Sequence, residues 1–245
     1  MCTFHEGEPV MSTTGEGDVA RFKRQAAERA VEAIQPGMVV GLGSGSTAAF
    51  VVHRLAALRA EGKLTDVVGV PTSVGTEALA RASGVPLTTL EEHPVVDLTL
   101  DGADEVDPAL RLIKGGGGAL LREKIVAQAS RRVLIVVDEG KLSPRLGTRW
   151  PVPVEVLPFG WRSQALFLVE LGARITPRRG PDGALYRTDQ GNFILDCAFG
   201  PIERPEQLAT RLEARAGIVA HGLFIGLTSE LVVAGPSGVE LRRPS

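Results

Sequence analysis

The sequence predicts an α/β protein: a Rossmann-like, mostly parallel sheet with helices on both faces, plus a smaller α+β unit of ferredoxin-like type. Three observations predict it. Over residues 19–149, short apolar strands alternate with segments of helical periodicity, the order that sandwiches a parallel sheet between helices. A loop rich in glycine and hydroxyl groups, Gly41-Leu42-Gly43-Ser44-Gly45-Ser46-Thr47, follows the first strand, where such sheets hold ligands. Over residues 150–220 the pattern changes to strands and helices set off by proline and turn residues, in a stretch too short for a robust core of its own. Residues 221–245 are apolar at first and are expected to return to the main sheet.

The elements follow in order. Val19, Phe22, Ala26, Ala30, Val31 and Ile34 recur at helical spacing, and Pro36-Gly37 ends that helix. Met38–Val40 is a strand, Ala48–Leu58 a helix, Val67–Val70 a strand, and Val74–Ala82 a helix capped by Ser73. Val95–Leu100 and Leu110–Ile113 are strands, Ala119–Ser130 a helix, and Val133–Val137 a strand. In the second part, Pro151–Val156 reads as a strand whose prolines suit a sheet edge. A helix runs through Phe167–Leu171, strands follow at Gly172–Ile175 and Phe193–Cys197, and Gln207–Ala216 is a helix. Gly180-Pro181-Asp182-Gly183 is a turn. The polar and acidic stretch 1–18 reads as a flexible head, with Met11 an alternative start.

Composition excludes several classes of function. A formal net charge of −2 gives no global attraction to nucleic acid, so any anion site has to be built locally. No apolar run approaches a membrane span, and residues 1–18 lack the basic and apolar regions of a signal peptide. Cys2 and Cys197 cannot form a disulfide framework, so a reduced, cytoplasmic protein is expected. His5, His53, His93 and His221 stand in no metal-binding or triad spacing.

Two segments carry chemistry. The loop 41–47 can offer backbone N–H groups and hydroxyls to an anion. It is not a P-loop, because no lysine precedes its Ser46-Thr47, and its glycine spacing departs from the dinucleotide fingerprint. A single phosphate fits it better; a tight turn without a ligand is the plain alternative. The second segment gathers Asp101, Asp104, Glu105, Asp107, Lys114, the glycines 115–118, and Arg122-Glu123-Lys124. Only five of the 27 basic residues are lysines, and two of those fall here. Clustered carboxylates can bind magnesium. Without a nearby histidine, acid–base work falls to carboxylate and lysine. Asp101 and Lys114 flank loops at strand ends and read as functional. Arg122-Glu123-Lys124, by composition, reads as a solvated helix face.

These residues resemble ribose-5-phosphate isomerase of the A type. The resemblance runs from about Val19 to Val239 and rests on Gly43-Ser44-Gly45-Ser46-Thr47, Pro71-Thr72-Ser73, Asp101-Gly102-Ala103-Asp104-Glu105, Lys114 through Lys124, Pro153–Val156 and Gly191–Asp196. It implies interconversion of D-ribose 5-phosphate and D-ribulose 5-phosphate in the pentose phosphate pathway, with no metal or other cofactor. By resemblance, Glu123 is the general base acting through an enediolate, and Lys114 faces the developing oxyanion. Asp101 serves ring opening and hydroxyl proton transfer, with Asp104 in the same pocket. Ser44, Gly45, Ser46 and Thr47 form the phosphate loop, Lys23 and Lys141 reach the phosphate, and Gly115, Gly116 and Gly117 lie against the sugar. Ser44 stands where many members carry threonine. A homodimer or homotetramer is implied. Two rival readings are an amino-sugar phosphate deaminase, which shares a glycine-rich phosphate loop, and a sugar-phosphate sensor. The first lacks the Asp-Gly-Ala-Asp segment, and the second needs a DNA-binding module that is not apparent here.

Overall fold

A computed structural model of the chain describes residues 15–244. Of the head expected over 1–18, residues 1–14, Met11 among them, lie outside the described residues. The rest enters α1 (Glu16–Val31). This helix buries Phe22, Ala26, Ala27, Ala30 and Val31, the stripe its periodicity requires. Gly37, at φ +80°, then turns the chain into β1 (Val39–Leu42). There follow α2 (Ser46–Ala60), β2 (Val68–Pro71), α3 (Val74–Ala82), β3 (Leu98–Asp101), β4 (Glu105–Val106), β5 (Leu112–Ile113), α4 (Leu120–Gln128) and β6 (Val133–Asp138). Ser73 caps α3 as expected, its Oγ accepting the Thr76 N–H at 3.0 Å. After a 3-10 turn at Glu139–Lys141 come β7 (Val152–Val156), α5 (Trp161–Glu170), β8 (Arg174–Pro177), β9 (Phe193–Ala198) and α6 (Pro205–Glu213). The chain closes with β10 (Ile218–His221), β11 (Leu223–Phe224), β12 (Glu230–Gly235) and β13 (Gly238–Arg242).

The main sheet has the order β13-β12-β6-β3-β1-β2 and is parallel except for the edge strand β13. Its central strands are apolar without interruption because both faces are covered. Leu98, Leu100, Leu134, Val136, Val232 and Ala234 pack against α1 and α2. The alternate residues Val133, Ile135, Val137, Leu231 and Val233 face the other way, toward Ala127 of α4 and Phe224 of β11. No helix among the described residues is long and apolar enough to cross a membrane.

The second unit runs β7-α5-β8-β9-α6-β10, a βαββαβ order, with an antiparallel sheet β10-β7-β9-β8. This is the ferredoxin-like arrangement. Its core of Val152, Val154, Val156, Leu168, Leu195 and Leu212 continues into Ile113 and Leu223. A unit this small thus shares its apolar core with the larger one.

Two strand readings change. Leu112–Ile113 does not join the parallel sheet; with β4 and β11 it forms a separate antiparallel sheet, β11-β5-β4. A two-residue apolar strand carries no signal of its partner. The strand containing Pro151 and Pro153 is not at an edge, because β7 lies between β10 and β9. Pro153 is tolerated there because its carbonyl accepts the Gly222 N–H at 2.7 Å. In an extended residue, C=O and N point the same way, so the missing donor faces the point just beyond the end of β10.

Glu105, fully buried, accepts the N–H groups of Gly147, Thr148, Arg149 and Trp150 at 3.0–3.2 Å. It thereby holds the connection from β6 to β7. Asp107 serves locally, taking the Ala109 and Arg111 N–H groups and pairing with the Arg111 guanidinium. Glu105→Ala strands four donors at once and is expected to destabilise the fold by about 3 kcal/mol or more in urea unfolding. A loss below about 0.5 kcal/mol would refute this anchoring role.

Candidate active site at the carboxyl ends of the parallel strands

β1, β3 and β6 end at one edge of the sheet, and the loops that leave them form a cleft of about 100 Å³. From β1 come Ser44, Gly45, Ser46 and Thr47, the last two at the start of α2. From β3 come Gly102, Ala103 and Asp104. Lys141 follows β6, Lys114 and Gly115–Gly117 follow β5, Glu123 projects from α4, and Lys23 from α1. Every residue predicted for the site lines this cleft except Asp101. Asp101, the last residue of β3, is buried behind Lys114.

The charged cluster is tight. Lys114 Nζ lies 3.0 Å from Asp101 Oδ2 and 3.3 Å from Glu123 Oε1, and donates to the Gly102 carbonyl at 2.6 Å. All three side chains are at most 6% exposed. Asp101 Oδ1 accepts the N–H groups of Ser44 at 3.1 Å and Gly102 at 2.8 Å. Both Asp101 oxygens are therefore committed within the protein. This close approach needs Gly43, where a Cβ would overlap the Asp101 side chain and backbone. Asp104 takes the Gly116 N–H on Oδ2 at 2.7 Å. Glu123 Oε2 is buried with no hydrogen-bond partner.

The electrostatics follow from burial. Burial pushes the Glu123 carboxyl up to about 8; Lys114 opposes the rise, and Asp101 and Asp104 add to it. For Lys114, burial disfavours the ammonium, but Asp101 and Glu123 outweigh it and raise the pKa. Lys114 is thus a fixed cation.

The triplet Arg122-Glu123-Lys124 is not a solvated face. Glu123 is buried, and Lys124 turns inward to donate to the carbonyls of His221 at 2.7 Å and Leu223 at 3.0 Å. Three residues cannot reveal which side of a helix faces a neighbour that arrives a hundred residues later. Burial pushes Lys124 down to about 8 and holds His221, beside it, at about 3.

At the end of the cleft beside α1 and α2, Lys23 Nζ donates to Ser46 Oγ at 3.0 Å. Ser46, Thr47 and the glycines sit at the amino end of α2, a ready anion cradle. Ser44 behaves differently from its neighbours. Its hydroxyl joins a cluster with Thr72, Ser73 and Thr76 at 2.8–3.2 Å and its N–H is given to Asp101, so it shapes the loop and offers neither donor to the cleft. Among the described residues, no group of three or more His, Cys, Asp or Glu side chains is arranged to hold a metal ion. A larger groove of about 620 Å³ lies beside α3 and α4, but its half-buried Glu77 and exposed Arg81 pair with each other. Volume does not choose the site, since another groove, beside Arg149 and Asp196, holds about 650 Å³; the buried charges point to the smaller cleft.

Residue reasoning missed what the small unit brings. Arg178 donates to the carbonyls of Gly115 and Gly116, and Asp189 accepts the Val74 N–H at 2.8 Å. The nearest sequence signal was the motif Gly191–Asp196, which had no role attached.

A parallel sheet with its acid–base groups gathered at the carboxyl edge defines the chain as an α/β enzyme. Comparison with known proteins gives the family. Residues 68–238 match Ribose 5-phosphate isomerase A (phosphoriboisomerase A). The chain is 60% identical over 218 residues to ribose-5-phosphate isomerase A of Chloroflexus aurantiacus, covering 89% of this chain and 91% of that one. It superposes on ribose 5-phosphate isomerase from Plasmodium falciparum with a TM-score of 0.88 at 40% identity, covering 91% and 98% of the two chains. A D-ribose-5-phosphate isomerase in complex with phospho-erythronic acid gives a TM-score of 0.90 at 36% identity, covering 92% and 99%. The chain belongs to the ribose 5-phosphate isomerase A family and is an isomerase.

Proposed function

We propose that the chain interconverts D-ribose 5-phosphate and D-ribulose 5-phosphate by moving a proton between C2 and C1 through an enediolate, with Glu123 as the base and without a metal. The observation that carries this reading is the state of Glu123. It is a buried carboxylate on the cleft wall, held by Lys114 through one oxygen and unpartnered at the other. A carboxylate fixed on a helix with a free oxygen and a raised pKa suits removal of a proton next to a carbonyl. Lys114 supplies a preorganised cation for the oxyanion that forms. In this geometry Asp101 acts through Lys114, keeping it charged and aimed, because its own oxygens are already engaged. Asp104, half-buried on the cleft wall, takes the part of hydroxyl partner during ring opening. Gly45, Ser46, Thr47, Lys23 and Lys141 hold the phosphate, with Ser44 setting the loop. Gly115, Gly116 and Gly117 lie along the sugar.

The cytoplasm is the proposed setting, and a homodimer or homotetramer the proposed assembly. The assembly is supported by the exposed Phe159, Leu166 and Val169 on the small unit. The test is an isomerase assay on ribose 5-phosphate with and without a chelator. Equal turnover in both is expected; loss with the chelator, restored by a divalent cation, would overturn the metal-free mechanism.

A further inference from the structure

One arginine of the small unit reaches the active-site loop. Arg178, just past β8, is gripped by Asp196 of β9: its Nε donates to Oδ2 at 3.0 Å and its Nη2 to Oδ1. Both side chains are largely buried. The fork leaves Nη1 free to donate to the Gly115 carbonyl at 2.8 Å and the Gly116 carbonyl at 3.0 Å. Tyr186, whose ring lies 6.0 Å from the Arg178 guanidinium carbon, adds a long contact of 3.5 Å from its hydroxyl to the Gly117 carbonyl.

The peptide plane converts these contacts into a direction. Across a trans peptide the C=O and the following N–H point opposite ways. With the Gly115 carbonyl turned to Arg178, the Gly116 N–H points away from it and meets Asp104 Oδ2. With the Gly116 carbonyl also turned to Arg178, the Gly117 N–H points away too. Among the described residues that N–H has no acceptor, and Gly117 lines the cleft. The Gly115 carbonyl also accepts the Gly118 N–H at 3.0 Å, but among the described residues the Gly116 carbonyl has Arg178 alone, and a glycine peptide holds no such orientation by itself.

We propose that Arg178, locked by Asp196, is a positioning residue of the isomerisation: by fixing the Gly115 and Gly116 carbonyls it aims the Gly117 N–H into the cleft, as a donor to the substrate oxygen that becomes anionic. It rests on the enediolate reading above. It also gives the Gly191–Asp196 motif a task, since Asp196 is its last residue. A donor aimed in advance acts mainly on the transition state, where the charge develops.

The experiment compares Arg178→Ala, Arg178→Lys and Asp196→Asn with the wild type in steady-state kinetics and thermal melting. In Arg178→Ala, kcat is expected to fall about 10- to 100-fold, the range for a misaimed catalytic group, while KM changes by less than about threefold. Guanidinium ion added to Arg178→Ala should restore part of kcat. Arg178→Lys should recover little, because a point charge cannot grip Asp196 and two carbonyls at once. Asp196→Asn should shift kcat in the same direction as Arg178→Ala. Unchanged kcat in Arg178→Ala overturns the proposal. So does a joint change in kcat and KM with lowered melting and no guanidinium rescue, which marks Arg178 as a tie between the two units only. Glu123→Gln run alongside separates the failures. If it loses turnover while Arg178→Ala does not, the positioning role alone falls; if it keeps full turnover, the enediolate reading falls first.

Discussion

Glu123→Gln is expected to lower kcat for ribose 5-phosphate by about 10²–10⁴-fold, the usual worth of a positioned general base. The amide matches the carboxylate in size and can still accept from Lys114, so folding should survive. The wild-type pH profile carries the same information. Only the ionised carboxylate can take the proton, and burial raises its pKa from the ordinary 4.5 to about 8. Activity should therefore be full above that pKa and fall as pH drops through it, close to tenfold in kcat/KM per pH unit below about 8. An acid limb near 4.5 in the free enzyme would show that burial does not raise the Glu123 carboxyl above its ordinary value. Full turnover in the Gln variant would remove it from the mechanism.

Lys114→Met is expected to damage both activity and stability. The ammonium balances two buried carboxylates, Asp101 at 3.0 Å and Glu123 at 3.3 Å. Removing one partner of a buried ion pair costs about 3–5 kcal/mol, because the charge left behind is uncompensated. Losing the oxyanion's cation should lower kcat by a further 10²–10³-fold, on the order found for oxyanion-hole donors. The stability loss has a signature. In alkaline solution, where the Glu123 carboxyl is ionised, adding Glu123→Gln removes one of the stranded charges, so the double variant should there be more stable than the sum of the singles by about 0.5–3 kcal/mol. Strict additivity in urea unfolding would mean that the two side chains do not share one electrostatic cluster.

The legible and the hidden parts of this protein divide on physical lines. The glycine loop after β1 and the carboxylate window after β3 were visible because their composition is wrong for a core. Their placement followed from the rule that parallel sheets bind at their carboxyl edge. Glu123 was hidden to composition, since its triplet has the look of any solvated turn of helix. It is buried against Lys114, which no local pattern connects to it. The family resemblance, not periodicity, marked it. The part of Ser44 was half legible: the loop was found, but its hydroxyl is turned away by Thr72 and Thr76 from the next strand and helix. Pro153 misled because a proline in a strand usually marks an edge, and only the end of β10 makes its place internal. Arg178 had no signal at all, being one of many arginines.

The return of the chain after the small unit also governs the order of assembly. Lys114 donates its N–H to the Gly222 carbonyl, Lys124 holds the carbonyls on either side of Gly222, and β12 fills the sheet beside β6. Synthesis runs from the amino end, and early segments fold as they emerge. Until residues 221–234 leave the ribosome, β6 has an open edge and the strand leading to Lys114 lacks one neighbour. The nascent protein thus carries nearly all its site residues long before it can hold them in register, and catalytic competence waits for the segment that follows the small unit.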